Sequence, residues 1–221
     1  MITIRKGAAM LALARLPRLS ARVPKRGSEG SRQFWYNLAH LAGWQIIGDA
    51  PDIPKAVVIA GPHTSYWDGL VAAVMILSFG VELHVLAKEE LYKAPFKSVL
   101  DWFKVIPVDR SSPHGLVARL CHEFATRPRF WLAMSPEGTR KAAPRWRSGF
   151  YRIAVAAGVP IVMVGLDYKR KAVVFLGVFE PTGDYARDLP QIIEHFAGLE
   201  PLNRAGLSAP LKRFLPDEWA G

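Results

Sequence analysis

The 221-residue chain has one cysteine, Cys121, so it cannot form a disulfide within itself, and a fold held by cross-links is excluded. Long apolar stretches are also missing. The longest, residues 70–79, falls well short of the roughly 20 residues that a membrane-spanning helix needs. The six histidines are scattered without the paired spacing of a metal site. No internal repeat or low-complexity tract occurs, which excludes a solenoid or repeat array. Acidic residues are absent before Glu29, whereas Arg5, Lys6, Arg15, Arg18, Arg22, Lys25 and Arg26 all fall there.

Half of the residues are hydrophobic, enough for one well-packed domain at this length. Against 19 acidic residues stand 29 basic ones, a net charge of +10 that draws the protein toward polyanions. No nucleic-acid motif accompanies the charge, so no nucleic-acid partner is expected and anionic lipid or phosphorylated substrates remain. The first 32 residues interleave their cations with Met10, Leu11, Leu13, Leu16 and Leu19, the composition of an interfacial segment. A flexible basic tail or a cleaved targeting peptide has the same composition. Residues 24–31 read as a linker, and the domain is expected to span 33–221, opening with a helix over 34–44.

Beyond Pro54, short β-rich runs alternate with helical periodicity, predicting a single α/β domain with a mostly parallel central sheet flanked by helices. Strands are predicted at 56–60, 81–86, 105–108, 130–134, 161–166 and 172–178. Their near-continuous apolar character suits strands covered on both faces. Helices are predicted at 67–79, 94–103, 113–125, 149–157 and 190–197. Only five residues separate the last two strands, too few for a crossover helix, so that pair should be antiparallel and the sheet mixed.

Four stretches stand out beside strand ends, where an open α/β sheet places ligands, and three of them carry chargeable residues. His63 and Asp68 follow the first, separated by Thr64, Ser65, Tyr66 and Trp67. On one helix that spacing turns the two side chains about 140° apart, so they cooperate only across a turn. Gly61-Pro62 supplies one. Such a pair suits a general base and its orienting carboxylate. Asp68 also fits a capping box opened by Ser65, a purely structural role. Arg110 ends the strand at 105–108, where it can grip a phosphate or pair on the surface. Ser135-Pro136-Glu137-Gly138-Thr139-Arg140-Lys141 ends the next, and four cations within residues 140–147 make a phosphate cradle beside it. Val159-Pro160-Ile161-Val162-Met163 carries no reactive group and would shape a wall. Cys121, inside an amphipathic helix, is a poor nucleophile candidate.

In this order, the four stretches resemble the glycerolipid acyltransferase family, which includes lysophosphatidic acid and glycerol-3-phosphate acyltransferases. His63 and Asp68 match the family's His-x-x-x-x-Asp block, and Pro136 to Arg140 match Pro-Glu-Gly-Thr-Arg in full. Ile106 and Arg110 match the second block, with Lys104 where glycine is common. Ser135 stands for the usual Phe, Lys141 for the usual Ser and Met163 for the last proline of the fourth block. Lys88 to Leu91 look like the Lys-x-Glu-Leu segment that often precedes the second block.

The resemblance implies transfer of a fatty acyl group from acyl-CoA or acyl carrier protein to the hydroxyl of a lysophospholipid, foremost 1-acylglycerol-3-phosphate. His63 would be the base and Asp68 its orienter. Arg110, Glu137, Gly138, Thr139 and Arg140 would bind the acceptor, mainly at its phosphate. No metal or cofactor is implied, and the expected location is peripheral, at the cytoplasmic side of an anionic membrane surface without a transmembrane helix. The departures leave open another acceptor, such as a lyso-ornithine lipid, another lysolipid or a glycan, and a non-catalytic lipid-binding module of the same fold. Nothing in the sequence sets an oligomeric state.

Overall fold

The computed structural model describes residues 19–92, 95, 97–108 and 115–214. Within them the chain runs α1 (Glu29–Leu41), β1 (Gln45–Ile47), β2 (Lys55–Gly61), α2 (Trp67–Phe79), β3 (Leu83–Lys88), α3 (Lys97–Trp102), β4 (Val105–Val108) and α4 (Leu116–Thr126). It continues through β5 (Phe130–Met134), α5 (Gly149–Ala157), β6 (Ile161–Asp167), β7 (Ala172–Phe179), α6 (Tyr185–Glu194) and α7 (Ala209–Lys212). The strands form one sheet in the order β1-β7-β6-β2-β5-β3-β4. β6, β2, β5, β3 and β4 are mutually parallel, and the β6–β7 hairpin is antiparallel, as its short connection requires. β1 pairs in parallel with β7 and extends the reversed edge.

Alternation along β2 assigns the two faces of the sheet. Val57 and Ile59 join Phe130, Leu132, Ile161 and Met163 in the larger core, packed under Leu120, Phe150, Ile153, Ile192 and Phe196 from α4, α5, α6 and the turn after it. Ala56 and Val58 face the other way with Ala133 and Val162, beneath Val23, Phe79 and Val81. The second face mixes small side chains, Ala56 and Ala133, with larger ones, Trp131 and Phe175 among them. A cavity of about 330 Å³ lies between α2 and the sheet, lined among others by Ala60, Gly69, Ala72, Ala87, Ala133 and Trp131.

The six predicted strands are all present, and the helices 67–79 and 149–157 have the predicted bounds. β1 is additional. At three residues it carries no readable period and exists through its pairing with β7. The stretch read as a linker is ordered instead. Val23 is fully buried, Lys25 bridges Val81, and α1 starts at Glu29 behind a Ser28 side chain that accepts from the Ser31 N–H at 3.2 Å. The boundary expected at residue 33 therefore falls inside α1. α6 begins at Tyr185, five residues before the predicted start, with Pro190 inside it. Asp184 caps it by accepting from the N–H groups of Ala186 and Arg187, and burial of Ile192 and Ile193 offsets the bond that Pro190 lacks. α4 starts at Leu116, and the Ser112-Pro113 signal lies outside the described residues.

Candidate active site

β2 ends at Gly61, and α2 starts at Trp67; the loop between them turns His63 back over the start of the helix. His63 Nδ1 lies 3.2 Å from Asp68 Oδ2, with the imidazole 28% exposed and the carboxylate 3%. The same Oδ2 accepts from the N–H groups of Thr64 at 2.7 Å and Ser65 at 2.8 Å, and Oδ1 accepts from the Tyr168 hydroxyl at 2.7 Å. Burial pushes the Asp68 carboxyl up, but these hydrogen bonds outweigh it and hold its pKa below the ordinary 3.8. An ionised carboxylate only accepts, so the imidazole contributes Nδ1–H and leaves Nε2 with a free lone pair.

The capping box is half realised. Asp68 reaches back to the Ser65 N–H, but Ser65 Oγ accepts from Trp67 N at 3.1 Å rather than from Asp68. One carboxylate thus satisfies the backbone before the helix and orients the histidine.

Glu137 follows β5 and is 2% exposed. Its Oε2 accepts from the His63 N–H at 2.5 Å, and its Oε1 from Ser208 Oγ at 2.9 Å, which itself accepts from Trp146 Nε1 at 3.1 Å. Both carboxylate oxygens are occupied within the chain, binding the Pro136–Arg140 block to the histidine loop. Gly138, at φ +66°, makes the turn after it. Thr139 Oγ1 accepts from the Lys141 N–H at 3.2 Å. Arg140 lines the cavity, its guanidinium 3.7 Å above the Tyr66 ring, while Lys141, Arg145 and Arg147 are exposed nearby.

His63, Asp68, Tyr66 and Arg140 stand around one end of the cavity between α2 and the sheet, whose lining is otherwise almost wholly apolar. Val164 and Leu166 continue the fourth stretch into that wall. Of the predicted site residues, His63, Asp68 and Arg140 line the cavity, Glu137 holds the His63 backbone, and Gly138 and Thr139 make the turn between Glu137 and Arg140. Arg110 lies outside the described residues. Lys104 has φ 56°, the left-handed backbone that a glycine adopts freely, so the departure from the second block keeps the turn while changing the side chain. Among the described residues, no group of three or more His, Cys, Asp or Glu could hold a metal ion.

Sequence reasoning missed Tyr168, Ser208 and Trp146. Tyr168 carried a faint signal, a large aromatic among the charged residues of a short hairpin turn. Ser208 and Trp146 meet across 62 positions and carried none. The close approach of the C-terminal segment is visible at Gly206, where an added Cβ would lie 2.8 Å from the Arg140 carbonyl oxygen and 3.2 Å from Thr64 Cβ.

Comparison with known proteins gives matches of three kinds. The family model described as Acyltransferase matches residues 47–167. The 1-acyl-sn-glycerol-3-phosphate acyltransferase of Escherichia coli K12 is 30% identical over 123 residues, 52% of this chain and 48% of that protein. That of Salmonella typhimurium is 30% identical over 156 residues, 66% of this chain and 61% of that protein. The chain therefore spans about half to three-fifths of the length of these curated relatives. The crystal structure of the 1-acyl-sn-glycerophosphate (LPA) acyltransferase PlsC from Thermotoga maritima aligns with a TM-score of 0.47 and 18% identity, covering 69% of this chain and 70% of that one. Because the family model covers more than half of the chain, including the histidine loop and the Pro136–Arg140 block, this protein belongs to the acyltransferase family.

Proposed function

We propose that the protein transfers a fatty acyl group from acyl-CoA or acyl carrier protein to the free hydroxyl of a lysophospholipid, foremost 1-acylglycerol-3-phosphate, giving phosphatidic acid. The observation that carries this reading is an oriented His63–Asp68 pair at the polar end of an otherwise apolar cavity of about 330 Å³. That volume lies in the range of small-molecule sites, about 300–1,000 Å³. An acyl chain lying in the cavity brings its thioester carbonyl to the imidazole. His63 Nε2 takes the proton of the acceptor hydroxyl as its oxygen attacks that carbonyl. The tetrahedral intermediate collapses, the C–S bond breaks, and the thiolate recovers the proton from the imidazolium. Acyl ester and free thiol are the products.

The acceptor phosphate is assigned to Arg140, with Lys141, Arg145 and Arg147 adding positive charge around it and Arg110 expected to join them. Glu137 acts from behind, holding the His63 backbone. The names of the curated relatives support this acceptor. A module that only binds lipid has no use for a base held by a buried carboxylate, which favours catalysis.

Thiol release from one acyl-CoA against a panel of acceptors tests the reading. Release should depend on 1-acylglycerol-3-phosphate, and His63→Ala should abolish it with the fold intact by circular dichroism. Turnover near wild type in that variant sinks the mechanism. Release with a lyso-ornithine lipid or glycan alone corrects the acceptor and keeps the chemistry.

A further inference from the structure

Asp68 Oδ2 is shared by three N–H donors, all from its own loop. Nothing in that loop fixes Oδ1. The donor there comes from the neighbouring strand: Tyr168, the residue after β6, opens the turn of the antiparallel hairpin and places its hydroxyl 2.7 Å from Oδ1. The family match ends one residue earlier, at 167.

We infer that Tyr168 is a positioning residue for the general base: through Asp68 it fixes the plane of the carboxylate and moderates the negative charge that His63 feels. This rests on the base assignment made above. The ring is held on several sides. Trp44 packs edge-on against it at 5.2 Å between centroids, and the Tyr168 N–H donates to the Glu200 carbonyl at 2.9 Å. The Trp44 segment is joined to the same hairpin, because Gln45 N–H donates to the Lys171 carbonyl at 2.9 Å. The reversed edge of the sheet therefore carries a rigid arm to the catalytic loop.

A donor to Oδ1 acts in two ways. It prevents the carboxyl group from rotating and releasing Nδ1, and it draws negative charge away from the oxygen facing the imidazole. Burial, then the bond to Asp68, pushes the phenol well above its ordinary pKa, so it remains a donor wherever Asp68 is ionised. The other ionisable groups facing the pair are Glu137, buried behind the His63 backbone, and Arg140 at the rim. Neither is touched by removing the phenol oxygen.

The test is Tyr168→Phe in the full chain, which keeps the ring and its contact with Trp44. Thiol release with 1-acylglycerol-3-phosphate should show kcat lowered about tenfold with KM changed less than about twofold, the pattern of a lost transition-state interaction. The acid limb of the pH–rate profile should move to higher pH by about half a unit, as Asp68 keeps more charge for the imidazolium. An activity-independent reading comes from NMR of ring-labelled histidine, with His63 assigned by loss of its signal in His63→Ala. Its titration in Tyr168→Phe should lie at higher pH than in wild type. In an Asp68→Asn background, Tyr168→Phe should leave that titration unmoved, because the two act as one unit. An unmoved titration in the single variant overturns the inference, whatever the acceptor. An active His63→Ala overturns the base assignment instead, so the two failures are distinguishable.

Discussion

Asp68 and Glu137 are both buried, yet their surroundings move their protons in opposite directions. For Asp68 the folded pKa is depressed, so its stabilisation is fully present above the ordinary 3.8 and is lost as the pH falls through the lower folded value. For Glu137, burial outweighs the hydrogen bonds from His63 and Ser208 and raises the carboxyl above its ordinary 4.5. The folded protein then holds the Glu137 proton more tightly than the unfolded chain does. Its stabilisation is full below 4.5 and is lost as the pH rises through the raised value. Glu137→Gln removes that titration while its amide oxygen still accepts from the His63 N–H. Melting temperature against pH should therefore decline less across this window in the variant, and much of the turnover should survive. Glu137→Ala leaves the His63 N–H and Ser208 without their acceptor. A loss of about 1–3 kcal/mol is expected in denaturant unfolding, together with a lower kcat. Equal turnover in the alanine and glutamine variants would remove the positioning role.

α2 is apolar almost all round, a pattern that demands cover on more than one side. Sheet and cavity take one side, and α1 packs on another. Trp67 and Leu70 of α2, with Tyr66 before them, stay exposed, as do Phe34, Leu38 and Leu41 of α1, Leu41 at 75%. On the proposed reading, the side chains lining the cavity beneath α2, Ala133 among them, set the depth available to an acyl chain. Ala133→Leu should shift preference toward shorter acyl donors in a competition assay, at a stability cost of about 1–3 kcal/mol if the added methylenes crowd Phe79 or Trp131. Unaltered preference would mean that the chain runs elsewhere. Most elements were legible from period and punctuation, because α2, α5 and the six longer strands each carry their own apolar pattern. β1 and the start of α6 were not, since one depends on a partner 127 positions away, Gln45 against Ala172, and the other on a side-chain cap overriding a proline.

At the scale of the whole molecule, a net charge of +10 and exposed apolar side chains on α1 and α2 together suit an anionic lipid surface, and no described helix is long and apolar enough to cross a membrane. Leu41→Ser with Phe34→Ser should weaken sedimentation with phosphatidylglycerol vesicles at low and high salt alike. Removing residues 1–18 should instead weaken the salt-sensitive part. A truncation reaching Val23 would confound the comparison, because that side chain is fully buried. The grouping of His63, Asp68 and Arg140 around one cavity was legible because each lies in a short block that follows a strand. Tyr168, Ser208 and Trp146 were not, because tertiary packing alone brings them there. The strand order β1-β7-β6-β2-β5-β3-β4 extends this to folding. β2 pairs with strands some 75 and 104 positions later, Lys55 with Phe130 and Val57 with Ile161, and such distant closures are slow to form. The histidine loop waits longer still, for Tyr168 and for the Asn203 N–H that donates to Thr64 Oγ1 at 3.3 Å. A chain emerging from the ribosome thus carries its histidine long before the segments that hold the histidine loop, and on the proposed mechanism a half-made molecule has no oriented base with which to spend an acyl donor.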